Sequence, residues 1–151
     1  MLTFVNGDPL LTQAQVLAFG HNERGRTELG ELETELFTRY PAAFANYGRQ
    51  CRSKRIKAGM MWTWRESQPH LGFMIVRASS VGATRLRYVE NIALTLARDY
   101  RRENITSIAI ARLGDTLEWP YIKPVLGQWL SDIPLPCIVY EDYLPGVRAE
   151  G

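Results

Sequence analysis

Three segments of the sequence carry polar side chains at the point where an apolar run ends. They are residues 6–9, 20–30 and 112–119. The carboxylate of Asp8 can only accept hydrogen bonds, whereas the amide of Asn22 both donates and accepts them. Gly114 has no Cβ, so backbone N–H groups around it can approach an anion, and a following helix N-terminus favours negative charge. Together with the Asp115 carboxylate, these groups could bind amines, hydroxyls and a diphosphate.

Each of these residues also has an ordinary structural interpretation. Asp8 precedes Pro9 and can form an Asx turn. Asn22 can adopt the left-handed conformation that loop asparagines tolerate. A Gly-Asp pair between a strand and a helix, as at Gly114 and Asp115, is usually a turn. The local sequence leaves both interpretations open.

The sequence lacks the motifs of several other chemistries. It has no Gly-x-Ser-x-Gly elbow and no P-loop, which disfavours a hydrolase on another α/β scaffold. Cys51 and Cys137 lie far apart without a Cys-x-x-Cys motif, and the chain has only 2 histidines. We therefore expect no metal site, no redox pair and no cofactor.

Alternating strands and helices position the three polar segments. Apolar runs predict strands over Leu2 to Val5, Gln15 to His21, Met60 to Trp64, Leu71 to Val76, Ser107 to Ala111 and Pro136 to Tyr140. Apolar stripes predict helices after Thr27, from Pro41, near Leu86 and near Pro120. Strands 60–64 and 71–76 are predicted to pair antiparallel. This order predicts a three-layer α/β/α sandwich with a mixed central sheet, in which ligands bind at the carboxyl ends of the strands.

The composition predicts one globular domain. The chain has 151 residues, 46% of them hydrophobic, and a formal net charge of +2. A chain of this length buries roughly 68–70% of its unfolded surface, so it needs no disulfide to fold. Its apolar runs are far shorter than the ~18–20 residues of a membrane span, and its first residues do not have a targeting pattern. We expect a cytoplasmic monomer without membrane contact, with one domain over residues 1–143 and a loose tail over 144–151.

The small net charge conceals two local clusters. The acidic block is Glu28, Glu31, Glu33 and Glu35, and the basic run is Arg49, Arg52, Lys54, Arg55 and Lys57. A basic run of this kind is often a solvated helix end, but it could also bind nucleic acid.

Four stretches of the sequence, taken together, resemble the macro domain family, the ADP-ribose-binding fold. They are Gly7-Asp8 after the first strand, His21-Asn22 before a glycine-containing loop, the block YPAAFANYGRQCRSKRIKAGMMWTW, and SIAIARLGDTLEWPYIKPVL. The branch that they resemble contains the antitoxin DarG and the terminal ADP-ribose protein glycohydrolase. The resemblance extends over nearly the whole chain, roughly from Leu2 to Glu141.

The resemblance implies a role for each predicted residue. Asp8 would accept a hydrogen bond from the adenine amine, and Asn22 would face the distal ribose. Gly114 would belong to the second phosphate-binding loop, and Asp115 matches the position of the catalytic acid. Arg77 matches the position of a lysine that both active relatives carry after the fourth strand.

Departures from the family pattern bear on activity. A guanidinium stays protonated, so Arg77 cannot act as an amine nucleophile, although it could hold a phosphate or a carboxylate. The acidic block lies where family members have a glycine-rich phosphate loop, and its carboxylates would compete with a diphosphate for the helix N–H groups. The loop at Gly114 is also shorter than its family counterpart.

The resemblance implies a protein that binds ADP-ribose or an ADP-ribosylated macromolecule. Hydrolysis of an ADP-ribosyl linkage, by Asp115 with water, would be a further step. The alternative is a catalytically inactive module of the same fold that binds protein or nucleic acid. At this point the sequence leaves open whether the chain is an enzyme.

Overall fold

The computed structural model describes residues 1–149, and a six-stranded sheet lies at its centre. The strands are β1 (Leu2–Gly7), β2 (Val16–Asn22), β3 (Met61–Trp64), β4 (His70–Arg77), β5 (Ile108–Ala111) and β6 (Cys137–Tyr143). The helices are α1 (Glu31–Arg39), α2 (Pro41–Arg52), α3 (Leu86–Asp99) and α4 (Trp119–Leu130). A 3-10 turn at Pro9–Leu11 follows β1. Among residues 1–149, no helix has the length and apolar character needed to cross a membrane.

The strand order of the sheet is β1-β6-β5-β2-β4-β3. Neighbouring strands are parallel, except that β3 runs antiparallel to β4. The mixed sheet and its antiparallel pair are as predicted. Five strands therefore run in the same direction, and their carboxyl ends lie at one edge of the sheet. These strands are β1, β6, β5, β2 and β4.

Two helices cover each face of the sheet. Helices α3 and α4 pack on one face, where Ile92 and Ile122 belong to the same buried cluster. Helices α1 and α2 pack on the other face through Leu36 and Tyr47. Neighbouring residues of each central strand alternate between the two clusters, which is why β2, β4 and β5 have almost continuous apolar sequences. The predicted three-layer α/β/α sandwich is confirmed.

Two element boundaries differ from the prediction. The first helix begins at Glu31 rather than directly after Thr27, and Gly30 occupies its N-cap position without a side-chain cap. Among the intervening residues, Glu28 is held by its ion pair with Arg77, and Gly30 has a φ of +146°, which is not helical. At the other end of the chain, β6 continues beyond Tyr140 to Tyr143.

The segment after β6 is attached to the end of β1. The Leu144 N–H donates to the Gly7 carbonyl at 3.0 Å, and the Asp8 N–H donates to the Val147 carbonyl at 2.7 Å. Residues 144–149 are therefore held against β1, and the predicted domain limits stay a prediction. Residues 150 and 151 lie outside the described part of the chain.

Candidate functional site

The candidate site is the edge of the sheet at which the parallel strands end. Asp8 directly follows β1, Asn22 ends β2 and Arg77 ends β4. Asn22 and Arg77 are partners in the register of these two strands, and Gly114 lies in the loop after β5. The topology thus brings four predicted binding residues to one edge. Their roles in binding stay predictions.

A buried ion pair connects the loop after β2 to the end of β4. The Arg77 guanidinium contacts the Glu28 carboxylate, and the two side chains are only 14% and 10% exposed. Arg77 also donates a hydrogen bond to the Thr84 hydroxyl at 2.9 Å. Because a buried charge without a partner is strongly unfavourable, Glu28 is the counter-ion that stabilises Arg77 in this position.

The loop after β5 contains a capping box. One oxygen of the Asp115 carboxylate accepts hydrogen bonds from the N–H groups of Leu117 at 2.9 Å and Glu118 at 2.8 Å. The Glu118 carboxylate accepts from the Asp115 N–H at 3.0 Å. This reciprocal pair fixes the turn that leads into α4. The structural interpretation of Asp115 therefore holds, and its role as a catalytic acid stays a prediction.

One chain of polar contacts joins the three loops that follow β2, β4 and β5. The second Glu118 oxygen accepts from the Thr84 N–H at 2.8 Å, which completes this chain. We call it the loop network, and its members are Glu28, Arg77, Thr84, Glu118 and Asp115. The loop network needs glycine at position 114. Gly114 has a φ of +80°, and a Cβ there would lie 2.9 Å from Glu118 Oε1.

The Asn22 amide closes the loop that follows β2. Its oxygen accepts from the Arg26 N–H at 3.0 Å, and its Nδ2 donates to the Arg26 carbonyl at 2.8 Å. The Tyr47 hydroxyl donates to the Asn22 carbonyl at 2.6 Å. Asn22 is completely buried, so its amide holds the loop in place. The ribose contact of Asn22 that the resemblance implies stays a prediction.

The Asp8 carboxylate has two backbone partners. Its Oδ1 accepts from the Leu10 N–H at 2.9 Å, which is the Asx turn that the sequence allows. Its Oδ2 accepts from the Gly146 N–H at 2.8 Å. Asp8 is only 5% exposed. It lies at the edge where the resemblance implies an adenine contact, and the chain itself covers it.

Two adjoining cavities lie between α1 and the strand ends. The first has a volume of about 50 Å³ and is lined by aromatic side chains together with His21, Glu28 and Glu33. The second has a volume of about 210 Å³, and Glu33, Gly114 and Tyr143 are in its wall. Glu33 lines both cavities and therefore lies between them.

The Glu33 carboxylate lies over the N-terminus of α1. It folds back towards Gly30, where a Cβ would collide with Glu33 Oε2. Burial raises the pKa of Glu33, and the nearby Glu28 carboxylate acts in the same direction. The Glu33 side chain thus occupies a helix N-terminus, and the N–H groups of a helix N-terminus can also bind a phosphate.

His21 is a further polar group in the wall of the first cavity. It is only 3% exposed, and burial lowers its pKa to about 4. Its Nδ1 accepts from the Asn22 N–H at 2.9 Å, so Nε2 carries the proton of the neutral ring. Within residues 1–149, no three His, Cys, Asp or Glu side chains are placed to hold a metal ion.

Sequence reasoning did not assign His21, Glu33 or Glu118 to the site. The Asp-x-x-Glu spacing of residues 115–118 is a capping-box signature that could have been recognised. His21 is the polar residue before Asn22 at the end of an apolar strand, which is a weaker signal. The position of Glu33 depends on where α1 begins, and the sequence predicted that helix too early.

Part of the basic run lines a separate groove beside the loop after β2. The groove has a volume of about 550 Å³, and Arg52, Lys54 and Lys57 line it together with Arg24 and Arg26. The predicted residues Arg49 and Arg55 are not in its wall. Positive charge from two parts of the chain is thus brought together on one surface.

Solved structures match this fold, whereas two comparisons of the sequence found no match. No model of a protein family matches the sequence, and no curated protein sequence matches it. The macrodomain of Thermus aquaticus DarG is 23% identical, with a TM-score of 0.84 over 93% of this chain and 98% of that chain. The macrodomain of Mycobacterium tuberculosis DarG is 22% identical, with a TM-score of 0.82 over 97% of this chain and 99% of that chain.

A third match is Thermosipho africanus DarTG in complex with ADP-ribose. It is 21% identical, with a TM-score of 0.85 over 97% of this chain and 42% of that chain. These likenesses define the class of structure: the chain has the macrodomain fold. The fold expected from the resemblance is therefore confirmed.

Replacement of Arg77 by Ala should destabilise the protein by about 3 kcal/mol, because Glu28 then loses its buried counter-ion. The loss of stability in the double variant Arg77→Ala/Glu28→Ala should be at least about 1 kcal/mol smaller than the sum of the losses in the two single variants. Urea unfolding measures both effects. As a control, Arg39→Ala breaks an exposed pair with Glu35 and should cost less than about 0.5 kcal/mol. Additive effects of the Arg77 and Glu28 replacements would contradict the buried pair.

Acidification should reduce stability through His21. Below pH 6.5 the unfolded chain takes up a proton on this residue, whereas the folded chain does so only near pH 4. Stability therefore falls between these values, by up to about 3 kcal/mol from this group. Urea unfolding across pH 4–8 measures the free energy of unfolding. On acidification this free energy should fall less for His21→Phe than for the unsubstituted chain, and above pH 7 the two plots against pH should be parallel. Parallel curves over the whole range would contradict this assignment.

Proposed function

We propose that the chain binds an ADP-ribose-type ligand in the two cavities at the carboxyl edge of the sheet. One observation carries the proposal: two carboxyl side chains of the protein already lie in this cleft on groups that can bind phosphate. The Glu28 carboxylate lies on the Arg77 guanidinium, and the Glu33 carboxylate lies on the N-terminus of α1. A guanidinium and a helix N-terminus are the groups that bind phosphate oxygens. The diphosphate of the ligand would replace the two carboxylates.

The other parts of such a ligand would lie at the same edge of the sheet. Asp8 offers a carboxylate to the adenine amine, and the ring of Tyr143 borders the second cavity, where it could stack on the base. The macrodomain fold supports the same ligand, since the DarTG structure of this fold is a complex with ADP-ribose. The ligand could be free ADP-ribose or an ADP-ribosyl group on a macromolecule.

Removal of either competing carboxylate should strengthen binding. We expect Glu28→Gln and Glu33→Gln each to raise the affinity for ADP-ribose about tenfold. In each variant the diphosphate no longer has to displace a charged carboxylate from the group that it binds. Isothermal titration calorimetry measures the affinities. Glu35→Gln is the matched control, since it removes one glutamate charge from α1 outside both cavities and should leave the affinity unchanged. Absence of heat up to millimolar ADP-ribose in all four proteins would contradict the proposed function.

Hydrolysis of an ADP-ribosyl linkage is proposed only as a step that follows binding. Asp115 would have to activate or protonate the reacting groups, but its carboxylate caps the turn before α4. The cap would have to open for Asp115 to reach a substrate. Arg77 cannot supply a nucleophilic amine, so an attack by water is the mechanism that these residues allow.

A second candidate function is binding of nucleic acid in the basic groove. The groove gathers five basic side chains, which is the arrangement that attracts a phosphate backbone. This function would not require the cavities at the carboxyl edge. In the other form of this alternative, the chain is a catalytically inactive module that binds a protein partner.

Charge reversal in the groove tests this candidate. The Lys54→Glu/Lys57→Glu variant should bind a 20-nucleotide DNA at least about tenfold more weakly at low salt, with a shallower salt dependence. A gel-shift assay across a salt series measures both effects. Arg87→Glu/Arg101→Glu changes the net charge equally on exposed parts of α3 and the turn after it, and should bind as the unsubstituted chain does. Equal loss in both variants would indicate an effect of net charge alone.

We further propose that the protein acts in the cytoplasm as a monomer. Cys51 and Cys137 are both thiols, which suits a reducing compartment. Cell fractionation and size-exclusion chromatography are the corresponding measurements.

A further inference from the structure

Residues 144–149 form a turn that lies against the end of β1. The Val147 N–H donates to the Leu144 carbonyl at 3.1 Å, and Gly146 has a φ of +75°. A proline followed by a glycine, here Pro145 and Gly146, suits a turn whose third position needs a positive φ. The Leu144 N–H extends the contact to the Gly7 carbonyl at 3.0 Å. The local sequence therefore encodes the turn, and β1 anchors it.

The turn places a hydrogen-bond donor and an acceptor on the polar groups of Asp8. The Gly146 N–H donates to the Asp8 carboxylate at 2.8 Å. The Val147 carbonyl accepts from the Asp8 N–H at 2.7 Å. Both the side chain and the backbone N–H of Asp8 are thus engaged by residues 146 and 147.

The contact is close at the backbone level. A Cβ on Gly7 would lie 2.9 Å from the Val147 oxygen and 3.0 Å from the Ala149 Cα. Any side chain at position 7 would push the turn away from β1. The glycine before Asp8 is therefore required by the turn itself, whether or not a ligand approaches this position.

Adenine offers the same pair of groups that the turn offers. An exocyclic amine donates hydrogen bonds, and a neighbouring ring nitrogen accepts one. Asp8 presents a matching acceptor and donor, but both are occupied, and Asp8 is only 5% exposed. The base and the turn consequently compete for the same two groups of one residue.

We propose that residues 144–149 act as a strap that occupies Asp8 and must be released before adenine can bind there. The inference rests on the proposed function, in which Asp8 recognises the base. Release is feasible because the strap is held mainly through backbone hydrogen bonds. The side chains of Leu144 and Val147 are 42% and 47% exposed, and among the apolar side chains of residues 144–149 only the small Ala149 packs against a buried core cluster.

The test compares the full chain with a chain that ends at Tyr143. Isothermal titration calorimetry should show that the shortened chain binds ADP-ribose at least about tenfold more tightly, since no hydrogen bonds to Asp8 have to be broken first. Ribose 5-phosphate, which has no adenine, should bind both chains equally. A gain for both ligands would indicate a general opening of the cleft and would overturn the strap.

A point variant in the full chain removes the risk that truncation disturbs the fold. Gly146→Pro deletes the N–H that donates to Asp8 and cannot adopt a φ of +75°, so it should give the same gain for ADP-ribose as truncation. Val147→Thr is the matched control, because it keeps both backbone groups of the strap and should bind as the unsubstituted chain does. Thermal unfolding verifies that each variant is folded.

Hydrogen exchange provides a direct view of release. In the full chain, saturating ADP-ribose should increase exchange in residues 144–149, whereas ribose 5-phosphate should not. Equal ADP-ribose affinities in all variants, with unchanged exchange, would overturn the strap and leave the proposed function intact. Absence of ADP-ribose binding in every variant would overturn the proposed function and the strap with it.

Discussion

The Arg77 guanidinium ends β4 with little access to water, and a charge in that position needs a counter-ion. Glu28 supplies it and thereby draws the loop after β2 over the strand ends. Thr84 and Glu118 extend the contact to the loops after β4 and β5. Asn22 and the Asp115–Glu118 pair close individual loops, and the contacts of Arg77 join these loops to one another. The shape of the cleft therefore depends on Arg77.

The polar groups at this edge are engaged by the chain itself. Asn22 holds the backbone of Arg26, Asp8 holds the strap, and Asp115 caps the turn before α4. A ligand would therefore exchange with existing contacts instead of adding to them. Because such an exchange keeps the number of hydrogen bonds nearly constant, the net free energy of binding is a small difference between large terms. Binding in this cleft would thus be coupled to movement of Glu28, Glu33 and the strap.

The sequence predicted the layers because their signals are local. The run Ile108–Ala111 is apolar at every position, as expected for a strand with both faces buried. The rule that ligands bind at the carboxyl ends of parallel strands, together with the resemblance, indicated correctly that Asp8, Asn22 and Gly114 lie at one edge of the sheet. Their partners could not be predicted, since Asp8 meets Gly146 138 positions away. The Asp115 cap was a readable local signal, whereas the pairing of Arg77 with Glu28 depends on packing between distant loops.

In the proposed function, the Glu28 and Glu33 carboxylates hold the positions of a ligand diphosphate. A crystal structure of the protein soaked with ADP-ribose would show whether the diphosphate binds there. We expect diphosphate density against the Arg77 guanidinium and the N-terminus of α1, with both carboxylates turned away from these positions. Ligand density elsewhere on the protein, with the Arg77–Glu28 pair intact and Glu33 still over α1, would contradict it.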